Sequence, residues 1–116
     1  MSNEKSKWLT LAEACEKAKK PDRNLDSRIH YVAGDPRKMV APFYTRSLDA
    51  AEWLRVIIAP EWGIDAVVPA VGKRSYGTCR ANVFKGERLY TANAATEPLA
   101  RVAAALRARA AMEDTK

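Results

Sequence analysis

His30 is the chain's one histidine, and Cys15 and Cys79 are its two cysteines, far apart and without CxxC spacing. A structural zinc wants about four thiolate, imidazole or carboxylate ligands close together. These residues are scattered, so neither a metal nor a cofactor is expected. Nucleophilic catalysis needs a base beside a serine, threonine or cysteine. Ser47, Ser75 and Cys79 stand in no such arrangement, and His30 in "RIHYV" reads as a partly exposed helix or loop histidine. Asp49 and Glu52 read as helix-start charge and solvated face. In "VPAVGKRSYG", Gly72, Lys73 and Ser75 echo a phosphate loop, but the first glycine is missing and a strand follows in place of a helix. The residue types and spacings argue against an enzyme.

One cluster has the composition of a binding surface. Lys73, Arg74, Arg80, Lys85 and Arg88 lie on or beside a predicted hairpin, countered only by Glu87. Alternation places Tyr76, Asn82 and Phe84 on the strand face of Arg80. An open sheet face with aromatics and arginine is how several RNA-binding folds stack bases. The arrangement the sequence favours instead covers this face with the N-terminal helices, because aromatics more often fill cores. A formal charge of +6 and a pI near 9.5 bias the chain toward anionic partners at long range.

The elements that must position these residues follow from periodicity and punctuation. "TLAEACEKAKK" puts Leu11, Ala14, Cys15 and Ala18 at helical spacing, with Thr10 and Glu13 spaced as a capping box and Pro21 as the stop. "PDRNLDSRIHYVAGDP" predicts a second helix with Leu25, Ile29 and Val32 on one side, and "RKMVAPFY" an extended or looped connection. From Ser47, the expected cap with Thr45 as its alternative, a third helix carries Ala50, Ala51, Leu54, Ile57 and Ile58 inward. "IDAVVP", "YGTCRANVF" and "RLYTA" predict three strands, the last two joined at "KGE"; Cys79, Ala81 and Val83 share the apolar face, where the cysteine acts as a small hydrophobe. "TEPLARVAAALRARAAM" predicts a final helix capped by Thr96, with Leu99, Val102, Ala103, Leu106 and Ala110 as its buried stripe.

The chain's 116 residues, 47% hydrophobic and 29% charged, suit one globular domain. The expected class is α+β: a small three-stranded antiparallel sheet sandwiched by helices, in the order ααα-βββ-α. A flexible N-terminus over 1–7, one domain over 8–112 and a tail over 113–116 complete the expected organisation. No stretch approaches the ~20 apolar residues needed to cross a bilayer, and no signal peptide is evident. Two reduced cysteines fit a cytoplasmic location.

Three stretches, "LDSRIHYVAG", "APFYTRSLDAAEWL" and "AATEPLARVAAALRARA", together resemble small phage and prophage proteins with a phage ABA sandwich domain. The resemblance runs from about Leu25 to Ala111, and the "YTxSLDAA" element and the alanine-rich last helix are its most specific parts. "PEWG" departs from that family's Pro-Glu-Gly-Trp order. The resemblance implies a layered helix–sheet–helix arrangement, phage origin and expression in a bacterial host. It implies no activity and no catalytic residues. The resulting expectation is a non-enzymatic accessory protein that binds a host protein or a small anionic ligand, with no membrane role. The alternatives are nucleic-acid binding through the basic hairpin, and self-association through the last helix.

Overall fold

The structure, a computed structural model, describes residues 3–33, 40–67 and 79–113. Their elements run α1 (Asn3–Lys17), α2 (Arg23–Ala33), α3 (Leu48–Ile58), β1 (Gly63–Val67), β2 (Cys79–Lys85), β3 (Arg88–Ala94) and α4 (Glu97–Glu113). The class, the strand number and the order match the sequence expectation. The sheet is antiparallel with spatial order β1-β2-β3.

The layering does not match. Helices were expected on both faces, yet all four helices stack on one side. α4 packs on all three strands and also touches α1 and α3, while among the described helices and strands α2 packs on α1 and α3 alone. The physical reason lies in α4. Its Leu99, Ala100, Val102, Ala103, Ala104, Ala105, Leu106, Ala108 and Ala110 are all buried, far more than the one stripe expected. A helix with so wide an apolar surface must be enclosed over most of it, and the alanines let the sheet approach from one side and α1 and α3 from the other. The arginines of α4 hold the flanks. Arg101 pairs with Glu97 at 2.7 Å, and Arg107 grips both carboxylate oxygens of Glu16 on α1 at 2.6 Å. Arg109 donates to the Ile58 carbonyl at 3.2 Å and lies 5.4 Å from the Trp8 ring.

α1 begins earlier than the sequence suggested. Thr10 is not a cap but a residue within the helix. Trp8, Leu11, Ala12 and Cys15 form its buried stripe, and enclosing Trp8 draws the preceding turn into the helix. α2 is capped by Asp22, whose Oδ1 accepts from the Asn24 and Leu25 amides at 2.9 and 3.2 Å. α3 starts as expected: Ser47 is the N-cap and accepts from the Ala50 amide at 3.2 Å. Thr45 has another task. Its amide donates to the buried Asp26 carboxylate at 2.8 Å and its Oγ1 accepts from the Asp22 amide at 2.9 Å, which locks the loop before α3 onto α2. Arg55 closes the other end of α3 by donating to the Ala59 and Trp62 carbonyls, fixing the turn that launches β1.

Candidate binding surface on the outer sheet face

The hairpin fixes the geometry. β2 and β3 pair from Cys79↔Ala94 to Lys85↔Arg88, leaving Gly86 and Glu87 as a two-residue turn. Gly86 has φ +60°, and as the first turn residue it gives the primed geometry that matches strand twist. Side chains then alternate. Cys79, Ala81, Val83, Ala92 and Ala94 are buried beneath the helices.

Among the described residues, the opposite face is uncovered. Phe84 is 40% exposed and Leu89 is 58% exposed. The two are register partners, and Gly63 stands across from Phe84 on β1. The Phe84 ring lies directly over Gly63, where any Cβ would sit 2.6 Å from ring carbons. A glycine is therefore what lets the ring lie down on the sheet. Next to this apolar end runs a polar row across the three strands. Thr91 Oγ1 donates to Asn82 Oδ1 at 2.8 Å, and Asn82 Nδ2 donates to Asp65 Oδ1 at 2.8 Å. Beyond it, Arg80 Nε donates to Asn93 Oδ1 at 3.3 Å. The face is thus ordered, half apolar and half polar, with Arg80 and Asp65 as its charged groups among the described residues.

Of the predicted cations, the described residues place Arg80 on this face. Arg80, Asn82 and Phe84 lie together as expected. Lys85 and Arg88 occupy the opposite register parity. Lys85 pairs with Glu61 at 2.7 Å and holds that carboxyl below the usual range. Arg88 reaches the Tyr90 hydroxyl at 3.4 Å and sits 5.9 Å from the Trp62 ring, at the open end of a Trp62–Tyr90 aromatic pair 5.6 Å apart. Lys73, Arg74 and Tyr76 lie outside the described residues. Gly63, Asp65 and Leu89 belong to the surface although the sequence reading passed over them. Carrying the period-2 alternation through β1 and β3 would have found the last two.

The remaining chemistry-bearing residues are engaged elsewhere. His30 is partly buried, as expected, with Nδ1 3.1 Å from the Tyr44 hydroxyl. Burial pushes the Cys15 thiol up to about 12, with Glu16 adding to the shift, and burial also raises the Cys79 thiol. Both thiols are therefore held in the neutral form and are poor nucleophiles. Among the described residues, no three His, Cys, Asp or Glu side chains gather where a metal could be held, and no helix is long and apolar enough to cross a membrane.

Compared with known proteins, the chain matches no family model, no curated protein and no solved structure.

Proposed function

We propose that this chain is a non-enzymatic binding module of phage or prophage origin, acting in the bacterial cytoplasm, that recognises a host protein through the outer face of its sheet. The observation that carries this reading is the uncovered Phe84–Leu89 patch beside a pre-ordered polar row. An aromatic anchor with a polar surround is the composition of protein interfaces, where a few large residues supply most of the affinity. The hydrogen bonds already made within the row reduce the ordering lost on binding. Phage origin rests on the three stretches that resemble the ABA sandwich proteins.

A protein partner fits better than nucleic acid. A nucleic-acid surface concentrates cations along the backbone path, whereas here Arg80 shares its face with Asp65, Lys85 is neutralised by Glu61, and Arg88 turns to the helical side. The test is affinity capture from bacterial lysate, with mass spectrometry, on the parent protein and on Phe84→Ala/Leu89→Ser. A host protein retained by the parent and lost from the variant supports the reading. Capture equal to empty beads, or unchanged in the variant, refutes it. A gel shift with single-stranded RNA that falls steeply with salt and vanishes in Arg80→Ala would transfer the surface to nucleic acid.

A further inference from the structure

Away from the sheet, α1 and α2 leave an open trough of about 690 Å³ between them. Its floor is apolar, made by buried Leu11 and half-buried Val32. Hydroxyls from both helices line the walls. Tyr31 stands at the rim, 88% exposed, the most exposed large hydrophobic side chain among the described residues. The lining includes two cations, Lys7 and Arg28, and no carboxylate. Lys7 meets Glu4 only at 3.7 Å, with both side chains half exposed. Arg28 has no ion pair among the described residues, whereas Arg55, Arg101 and Arg107 are each matched to a glutamate.

Two neighbouring helices that share an exposed apolar furrow form an incomplete bundle. A third helix laid along the furrow covers half-buried Val32 and exposed Tyr31 by the ordinary packing of ridges into grooves. A small ligand would remain largely in solvent in so open a site, unlike the enclosed pockets that bury most of a ligand's surface. The lining also selects charge, since an acidic flank meets Lys7 and Arg28 and a basic one is repelled. We infer that the α1–α2 trough docks an amphipathic helix of a partner protein, with aspartate or glutamate flanking its apolar stripe. Tyr31 packs along the incoming stripe with its hydroxyl toward water, a use suited to an amphipathic ring. α2 touches none of the described strands, so this surface stands apart from the outer sheet face and does not depend on the function proposed for it.

The experiment uses two fluorescein-labelled peptides of 18 residues with the same i, i+3, i+4, i+7 leucine stripe, one flanked by glutamate and one by lysine. Fluorescence anisotropy is read with the full chain in 0.15 M salt. The glutamate peptide should bind at least ~10-fold more tightly than the lysine peptide. Arg28→Glu should invert that preference. Lys85→Glu, which changes net charge equally, should leave it in place. Tyr31→Ala should weaken the glutamate peptide ~10-fold. Positions 28, 31 and 85 are exposed, and circular dichroism checks that each variant folds. Absent binding, equal binding of the two peptides, or an equal effect of Lys85→Glu overturns the inference. So does displacement of the peptide by micromolar decanoate, which would assign the trough to a small amphiphilic anion.

Discussion

Val83 and Asn82 are neighbours on β2, yet Val83 is sealed beneath the helices while Asn82 faces outward between Asp65 and Thr91. The inner face has a neighbouring layer and can use small apolar residues. The outer face has none among the described residues and is built from side chains that either bond to one another or remain unsatisfied by packing. A sheet covered on one side only is ordinary for antiparallel strands. An aromatic laid flat on the uncovered side, over a glycine that admits it, is a feature that folding alone does not demand.

The sharpest way to break this comparison is a charge on each face. Val83→Asp buries an unpaired carboxylate and should cost more than about 4 kcal/mol, leaving little folded protein by circular dichroism. Asn82→Asp, one residue away, should cost less than about 1 kcal/mol in urea denaturation, the penalty being its nearness to Asp65. Similar losses at both positions would mean that the two faces are not differently covered. Next in size, Leu106→Ala in the enclosed helix α4 should cost about 2–5 kcal/mol, against about 0.5 kcal/mol or less for Leu89→Ala on the bare face.

The buried side also has a signature in alkali. Cys15 is raised from 9.0 to about 12 in the folded chain, so the folded form keeps a proton that the unfolded form gives up. Stability from this group is complete below pH 9 and declines as pH rises from 9 toward 12. Cys15→Ala should flatten that part of the profile, as measured by urea midpoints. A further modest effect is expected at Gly63. Alanine there displaces the Phe84 ring from a 2.6 Å approach, which should cost about 1 kcal/mol and weaken partner binding by more than the stability change suggests.

Local signals made much of this legible in the sequence. Ser47 and Thr96 mark the starts of α3 and α4 because a cap needs only its own next few residues. The hairpin was readable from alternation around one glycine. What the sequence withheld was tertiary. Thr10 looked like a cap because the burial of Trp8 depends on α4 and on Arg109, 101 residues distant. The stripe expected on α4 was too narrow because alanine signals no side, and only the surrounding layers show how much of the helix is enclosed. Nearness along the chain also does not tell which face a cation takes. Arg80 and Lys85 are five residues apart on one strand, an odd separation that places them on opposite faces.

The central place of α4 governs how the chain can be made. α1, α3 and all three strands pack on this helix, and every one of them precedes it in the chain. A ribosome therefore delivers their apolar surfaces before it delivers the element that covers them. Folding must wait for the last helix to emerge, and until then the nascent chain is exposed to aggregation and to chaperones.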